Sequence, residues 1–379
     1  LRFRSAGRHQ DRPDKGWAIS SADHREDMSL IKEIGANGIR LAHYPHSDEF
    51  YTLCDREGML VWAEIPLVGK ALDTPEFTEN MKTELTELIR QNFNHPSIFC
   101  WSLCNELSKG DVKGLISELN DVSHREDPGR LTVLAANVEK RPENAVPDIM
   151  AFNTYPGWYW AMPSEMKSTL ERWNRQCGNK GIAVSEYGAG ANVWHHWQTG
   201  KKTPKADGVF HPEEWQATVH EQTYDAIKRS GFAWGSFVWN MFDFAADARD
   251  QGGEPGMNHK GLVTFDRKTR KDSFYLYKAW WSDENFVHIC SKRFTDRTES
   301  EMEVKVYSNQ KSVALYVNGE KVSEQTGEHV FSFRVPLTGE IEVKAVAGDC
   351  TDTASFRHVD TPNPSYKLVK TKSKSANWV

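Results

Sequence analysis

The chain has 379 residues, a formal net charge of −6, and 39% hydrophobic residues. This length exceeds the usual size of one domain and supplies ample material for a packed core, so we expect one large and one smaller domain. Acidic and basic residues are interspersed along the chain, which argues against a surface for nucleic acid or for an anionic membrane.

The sequence contains no run of about 18 apolar residues, so it predicts no membrane-spanning segment. Its first residues, LRFRSAGRHQD, lack the apolar region of a signal peptide, and no targeting signal can be read. We expect a bacterial-type cytoplasmic or periplasmic location, with the cytoplasm favoured. The six cysteines show no CxxC spacing and are interpreted as reduced structural residues. The sequence does not determine the oligomeric state, and a homo-oligomer is one alternative.

From the start to about residue 281, short apolar runs alternate with amphipathic segments. Strands are predicted at residues 2–6, 38–43, 59–67, 97–104, 131–136, 149–154, 181–185 and 231–239. Helices are predicted at residues 22–34, 48–57, 77–92, 112–125, 164–176, 212–229 and 273–280. Eight strands in this length predict an α/β fold of the (β/α)8 (TIM) barrel type. An open doubly wound sheet is disfavoured because no glycine-rich dinucleotide turn is present.

After Trp281 the pattern changes to an alternation of apolar and polar residues. Runs such as MEVKVYSN and HVFSFRVPL, separated by turn signals that include Asn318-Gly319, predict antiparallel strands. We therefore expect a barrel over residues 1–281 and a small all-β sandwich over residues 282–379. The segment after Thr361 contains two prolines and four lysines and is expected to form a basic tail.

Polar side chains follow the predicted strands at the end where barrel enzymes build their active sites. The strand ends are Arg8-His9-Gln10-Asp11, Arg40 with His43-Tyr44, Glu64, Asn105-Glu106, Asn153-Thr154-Tyr155, Glu186-Tyr187 and Trp239-Asn240. Glu106 and Glu186 belong to strands four and seven, nearly opposite one another across an eight-stranded ring. For either glutamate alone, the alternative interpretation is a simple ion pair. Together they suit glycosidic bond cleavage, in which one carboxyl protonates the leaving oxygen and the other attacks or activates water.

Four segments occur in the order IRLAHYPHSDEFYTLCDREGMLVWAEIP, NHPSIFCWSLCNE, AVSEYGAG and GSFVWNMFDF. With them, residues 7–281 resemble the catalytic barrel of glycoside hydrolase family 2, the β-galactosidase, β-glucuronidase and β-mannosidase group. The sandwich resembles the immunoglobulin-like domain that follows this barrel. The resemblance implies a retaining double displacement with Glu106 as general acid/base and Glu186 as nucleophile. Retention requires carboxyl groups about 5 to 5.5 Å apart, so an ionised Glu186 is expected to raise the pKa of Glu106.

The resemblance also implies substrate-binding or supporting roles for the other strand ends. It implies that Asn105 bonds the sugar 2-hydroxyl, Tyr155 holds the nucleophile, His9 and His43 bind hydroxyls or shape the pocket floor, Trp239 forms a platform under the ring, and Arg40 supports Glu186. For each of these residues, the alternative interpretation is a purely structural role at the mouth of the barrel. Glu64 is interpreted as an ion-pair partner of Arg40.

The identity of the sugar depends on Asn258-His259-Lys260, an Asn-x-Lys pattern with which β-glucuronidases hold the substrate carboxylate. The surrounding segment, DFAADARDQGGEPGMNHKGLVTFDRKTRKDSFYLYKAWW, is more similar to a β-galactosidase branch that also carries Asn-x-Lys-Gly. We therefore favour terminal β-D-galactosides as substrates, with β-glucuronides as the alternative. In either case the partner is a β-linked glycoside or oligosaccharide.

No HExxH motif and no Cys/His cluster is present, and the adjacent His195 and His196 offer no third ligand, so no metal site and no required cofactor are predicted. Family members use magnesium or sodium near the acid/base, but their ligands cannot be mapped onto this sequence. The segment from Trp194 to Trp197 is either an aromatic wall of an aglycone subsite or a packed loop.

The family carries β-domains before its barrel, and the first of them lends an acidic residue to the substrate pocket. This sequence opens at the first barrel strand. We therefore keep two alternatives to a fully active enzyme, which are a weakly active enzyme and a carbohydrate-binding module.

Overall fold

The computed structural model describes residues 3–110, 112–138, 140–197 and 203–361, together with Asn363 and Tyr366. Eight parallel strands close into a barrel in which each strand pairs with its neighbours in chain order. The strands are β1 (Phe3–Arg8), β2 (Gly38–Leu41), β3 (Leu60–Glu64), β4 (Ile98–Asn105), β5 (Leu131–Ala136), β6 (Ile149–Asn153), β7 (Ile182–Tyr187) and β8 (Ala233–Val238). The predicted TIM barrel is confirmed.

Seven α-helices lie in the described part of the chain. They are α1 (Ser21–Glu33), α2 (Asp48–Glu57), α3 (Pro75–Asn92), α4 (Lys113–Glu126), α5 (Met166–Gln176), α6 (Glu213–Arg229) and α7 (Asp272–Trp281). A short 3₁₀ helix, Pro142–Ala145, stands where an α-helix would follow β5. Capping fixes the start of α1, because the Ser20 hydroxyl accepts from the Asp23 N–H and the Asp23 carboxylate accepts from the Ser20 N–H.

The barrel interior is filled by a few large side chains among many small ones. The buried interior cluster consists of Trp62, Cys100, Val133, Ala135, Ala151, Ala183 and Phe237. Eight strands leave room for little more than this, so two aromatic rings require alanines on the strands between them. A larger apolar layer lies between the strands and the surrounding helices. The two layers hold the strand ends in fixed positions.

The second unit is a sandwich of two sheets. One sheet has the order β11 (Val287–Ile289), β13 (Glu301–Ser308), β16 (His329–Pro336). The other has the order β12 (Asp296–Arg297), β18 (Cys350–His358), β17 (Glu340–Ala347), β14 (Ser312–Val317), β15 (Glu320–Thr326). Asn318 and Gly319 join β14 to β15 with φ angles of 51° and 86°, as the two-residue hairpin signal predicts. The immunoglobulin-like sandwich is therefore confirmed as a fold.

The sandwich packs against the last two barrel helices. Leu276 and Ala279 of α7 form an apolar cluster with Cys290 and Tyr307. Glu221 of α6 accepts a hydrogen bond of 2.8 Å from the Lys305 ammonium and another from the Tyr307 hydroxyl. The exact division at residue 281 stays a prediction.

Other features of the chain follow the sequence more simply. All six cysteines are free thiols, and four of them are buried. Among the described residues, no helix combines the length and apolar character that crossing a membrane requires. The predicted basic tail lies outside the described residues, apart from Asn363 and Tyr366.

A buried network of ion pairs connects the first β/α unit of the barrel to the segment before its last helix. Asp27 of α1 accepts hydrogen bonds of 2.7 Å from Arg8, 2.6 Å from Arg12 and 3.0 Å from Arg267. All four residues are buried. Burial alone raises the pKa of Asp27, but Arg8 and Arg267 outweigh it and lower that pKa below its usual value. One carboxylate therefore joins β1, the loop after it and the segment before α7.

Asp27→Ala is expected to destabilise the chain by about 3–5 kcal/mol, because it leaves buried guanidinium groups without their carboxylate. Thermal unfolding followed by tryptophan fluorescence measures the effect. The control is Asp225→Ala, which removes an exposed helical ion pair with Arg229 and should change the melting temperature little. Equal melting temperatures for the two variants would contradict a stabilising role for the network.

Candidate active site

The polar strand ends meet at one face of the barrel, as parallel strands in a closed ring require. Side chains from β2, β3, β4, β6 and β7 make direct contacts there. The contacting residues are Arg40, Glu64, Asn105, Glu106, Asn153, Tyr155 and Glu186. The two glutamates singled out in the sequence therefore belong to one hydrogen-bonded group.

Residues of β6, and of the segment directly after it, hold both glutamates. The Asn153 amide donates to Glu106 Oε1 over 2.8 Å, and the Tyr155 hydroxyl donates to Glu186 Oε2 over 2.5 Å. Asn153 is also the register partner of Glu186 across the β6–β7 pair. Glu106 lies directly after β4 with a φ of 54°, an uncommon conformation for a residue with a side chain. Its backbone N–H is fixed by the carbonyl of Ala135 over 2.8 Å.

Arg40 connects the nucleophile candidate to the rest of the site. Its fully buried guanidinium donates to Glu186 Oε1 over 2.8 Å and to Asn105 Oδ1 over 2.7 Å. His43 Nε2 lies 3.7 Å from the same Glu186 oxygen. The position of Arg40 agrees with the predicted support of Glu186 by charge, and it also orients Asn105.

Glu64 does more than balance Arg40. Its carboxylate accepts from Arg40 over 3.2 Å, from the Trp62 indole over 3.0 Å, and lies 2.7 Å from His43 Nδ1. Burial by itself raises the pKa of Glu64, yet Arg40 and His43 outweigh burial and hold the pKa at about 2. Glu64 therefore fixes the His43 ring beside Glu186 as well as pairing with Arg40.

The protonation of Glu106 suits an acid. Burial and the nearby charge of Glu186 raise the pKa of Glu106, and the hydrogen bond from Asn153 opposes this only in part. A carboxyl group with a raised pKa keeps its proton at a pH where an ordinary glutamate has lost it. Glu106 can therefore deliver a proton to a leaving oxygen.

An aromatic wall lies beside the carboxyl groups. His43 stacks on Trp239 with ring centroids 4.9 Å apart, and His9 contacts both rings at 5.5 and 5.4 Å. Burial, followed by the positive groups around it, holds the pKa of His9 well below its usual value, so this ring is neutral. The peptide bonds Ala42–His43 and Trp239–Asn240 are cis. The wall offers an apolar surface with hydrogen-bonding edges, which suits a sugar ring.

Asn258 and Lys260 approach from a separate segment, where β9 (Phe244–Ala245) pairs with β10 (Met257–Asn258). The Lys260 ammonium lies 5.7 Å from the ring centroid of Tyr155 and 5.0 Å from that of Tyr159. The Asn258 side chain accepts from the Lys260 backbone N–H over 3.1 Å. Burial lowers the pKa of Lys260, while the Tyr159 phenol partly offsets this. The structure thus brings Lys260 next to the tyrosine that holds Glu186.

Three polar residues of this site have no role in the sequence analysis. Asn153 is visible there only as a strand end, although it contacts Glu106 and Asn105. Tyr159 and Arg249 lie in irregular segments, and Arg249 donates to the Tyr159 hydroxyl over 3.4 Å. Tyr159 lies four residues after Tyr155, but this spacing indicates a role at the site only once the position of Lys260 is known. No such signal marks Arg249.

The segment from Trp194 to Trp197 behaves mainly as a packed loop. His195 accepts from the His211 N–H over 3.1 Å, and His196 pairs with Glu214 over 3.0 Å. The two histidines therefore have separate partners. Trp194 is 62% exposed, and its predicted place in an aglycone wall stays untested.

The barrel and its carboxyl pair match the arrangement that barrel glycoside hydrolases use. The sequence model described as "Glycosyl hydrolases family 2, TIM barrel domain" matches residues 1–285. The chain therefore belongs to glycoside hydrolase family 2, as its motifs imply.

Relatives of known name are mostly β-glucuronidases. The chain is 43% identical over 331 residues to a β-glucuronidase of Bacteroides fragilis, with 85% of this chain and 47% of the relative covered. Its structure is similar to that of an FMN-binding β-glucuronidase from Facaelibacterium prausnitzii L2-6, with a TM-score of 0.92, 39% identity, and 97% and 58% of the two chains covered. It is also similar to a putative β-galactosidase from Bacteroides fragilis, with a TM-score of 0.89, 36% identity, and 94% and 55% covered.

The chain thus spans about half the length of the curated relatives it matches. The expectation of a terminal β-galactoside is not confirmed by these comparisons. They agree better with the alternative, a β-glucuronide, although one of the similar structures carries the galactosidase name.

Replacement of Glu186 by glutamine should lower the pKa of Glu106, because it removes the charge that raises that pKa while burial stays the same. The titration can be followed by carboxyl-carbon NMR on glutamate-labelled protein. Glu254→Gln is a matched control, since Glu254 pairs with His259 instead. An unchanged Glu106 titration in Glu186→Gln would show that the two carboxyl groups are not coupled.

Proposed function

We propose that this chain carries the catalytic barrel of an exo-acting, retaining β-glucuronidase. The observation that carries the proposal is the Lys260 ammonium, which is 1% exposed and lies beside Tyr155 and Tyr159. Its polar partner is the Tyr159 phenol, and no carboxylate within the described parts of the chain forms a salt bridge with it. The names of the relatives support the same substrate.

A buried ammonium that forms no salt bridge with a carboxylate is costly, because its lost hydration is only partly offset by a phenol. A uronic acid carries a carboxylate at C6 that can neutralise it, whereas a galactoside carries a neutral hydroxyl there. Arg249 adds a second cation beyond the Tyr159 hydroxyl. This pair of cations on one side of the pocket favours the carboxylate-bearing sugar over the galactoside that the surrounding sequence suggests.

In the first chemical step, Glu186 acts as the nucleophile and Glu106 acts as the acid. The Glu186 carboxylate attacks the anomeric carbon while the bond from that carbon to the leaving oxygen breaks, and Glu106 transfers its proton to that oxygen. Tyr155 and Arg40 hold the attacking carboxylate in place. The product of this step is a glycosyl ester on Glu186 and a free aglycone.

The second step reverses these roles. Esterification removes the negative charge of Glu186, so one cause of the raised Glu106 pKa disappears and Glu106 stays ionised as a base. Glu106 then takes a proton from water as the water oxygen attacks the anomeric carbon, and the ester bond to Glu186 breaks. The sugar leaves with its original anomeric configuration.

Substitution of Lys260 by methionine tests the substrate directly. Methionine is an unbranched side chain one atom shorter than lysine and carries no charge, so kcat/KM on an aryl β-glucuronide should fall by about 30- to 5,000-fold, equivalent to about 2–5 kcal/mol. The activity on the matching aryl β-galactoside should fall much less or rise.

Lys167→Met is the matched control, since Lys167 is an exposed lysine on the outer helix α5. It removes one positive charge without touching the proposed carboxylate site. A wild-type chain that cleaves only the galactoside, or a Lys260→Met variant that loses both activities equally, would contradict glucuronate recognition.

Leaving-group dependence separates the roles of the two glutamates. Glu186→Ala should abolish turnover of every aryl glucuronide, because no ester can form. Glu106→Ala should reduce turnover most for phenols of high pKa, which need a proton to leave, and least for activated phenols. An equal loss across all leaving groups in Glu106→Ala would contradict its role as the acid.

A further inference from the structure

Asp272, His288 and Cys290 meet where the barrel joins the sandwich. Asp272 is the first residue of α7, His288 lies in β11, and Cys290 directly follows β11. All three side chains are buried. A carboxylate oxygen, an imidazole nitrogen and the thiol sulfur lie within 4.8 Å of one another. We call these three residues the junction cluster.

The ligand atoms of the junction cluster match the preferences of a borderline-soft cation. Zinc binds cysteine sulfur, histidine nitrogen and carboxylate oxygen in tetrahedral sites, where ligand atoms lie roughly 3.3–3.7 Å apart. The distance from His288 Nε2 to Asp272 Oδ1 is already 3.0 Å. Modest side-chain rotations would therefore bring all three atoms to coordination distances. A hard cation such as magnesium would not select the sulfur.

The surroundings supply an open fourth position. A cavity of about 370 Å³ lies between α6 and the sandwich, and Asp272 and Cys290 belong to its wall. Three further glutamates line it, together with Arg297 and Lys305, so carboxylates outnumber basic groups in its wall and favour a cation; the glutamates are Glu299, Glu301 and Glu303. A water molecule in this cavity can complete a tetrahedral site.

The imidazole of His288 is held in the orientation that ligation needs. Its ring stacks on Tyr275 with centroids 3.6 Å apart. Nδ1 faces the carboxylate of Asp352 at 3.8 Å, while Nε2 points to Asp272. A carboxylate behind the second ring nitrogen is the usual partner of a metal-bound histidine.

We propose that the junction cluster is a structural binding site for Zn²⁺ or a chemically similar divalent cation. On binding, Cys290 releases its thiol proton to solvent, and the His288 ring changes tautomer so that its proton lies on Nδ1, facing Asp352, and Nε2 is free to bind. The Asp272–His288 hydrogen bond then gives way to two bonds to the ion. Asp272 comes from the barrel, whereas His288 and Cys290 come from the start of the sandwich. The ion would therefore fasten one unit to the other. The sequence gives no hint of such a site, because its ligands follow no metal-binding spacing.

Cobalt substitution tests the site in the whole 379-residue chain. Metal-free protein titrated with Co²⁺ should gain a thiolate-to-cobalt charge-transfer band at about one ion per chain. Cys290→Ser should lose the band, and Cys350→Ser, which changes a sandwich cysteine outside the junction cluster, should keep it. Zinc should raise the melting temperature of the wild type and of Cys350→Ser, but not of Cys290→Ser.

Absence of the band in the wild type, or a band of equal strength in Cys290→Ser, would overturn the proposal. If Cys290→Ser does not fold, a measurement on the wild type alone still tests the site. X-ray absorption of the zinc-loaded chain should show one sulfur neighbour together with nitrogen and oxygen neighbours. A zinc shell without sulfur would equally refute the site.

Discussion

The buried guanidinium of Arg40 is the contact on which the rest of the catalytic site depends. It binds Glu64, Asn105 and Glu186 at once, and these residues come from three different strands. A planar group with five donors can serve three oxygen acceptors in fixed directions, which a lysine could not. Because Arg40 is fully buried, its charge must be balanced by Glu64 and Glu186. The position of the Glu186 carboxylate is thus set by charge balance inside the barrel.

Lys260 presents the opposite situation. Arg40 forms salt bridges with Glu64 and Glu186, whereas Lys260 has the Tyr159 phenol as its neighbour and no carboxylate salt bridge in the described part of the chain. Burial lowers the pKa of Lys260, so the free protein holds its ammonium less firmly than an exposed lysine does. On the proposed function, an anionic sugar would bring a full negative charge to this ammonium. Affinity and specificity would then arise from the same contact, since a neutral sugar leaves the cost of burial uncompensated.

The sequence predicts the fold well because both units have strong periodic patterns. The buried barrel strands are continuous apolar runs and the sandwich strands alternate, so element types and even the Asn318-Gly319 hairpin can be read directly. The carboxyl pair is readable for a related reason, because polar residues end apolar strands. Tyr159 and Arg249 could not be found, since they lie in irregular segments whose path depends on tertiary packing. The choice between the two sugars stays a proposal, because a lysine in a motif does not reveal whether a carboxylate of the protein pairs with it.

The two parts of the active site come from separate stretches of the chain. The glutamates and their supports lie on strand ends that the barrel core fixes, whereas Arg249, Asn258 and Lys260 all belong to the short stretch between β8 and α7. Change in that stretch leaves the bond-breaking groups where they are. On the proposed function, sugar preference can therefore change through one connection while the carboxyl pair is kept. Two solved structures similar to this chain carry different sugar names, β-glucuronidase and putative β-galactosidase.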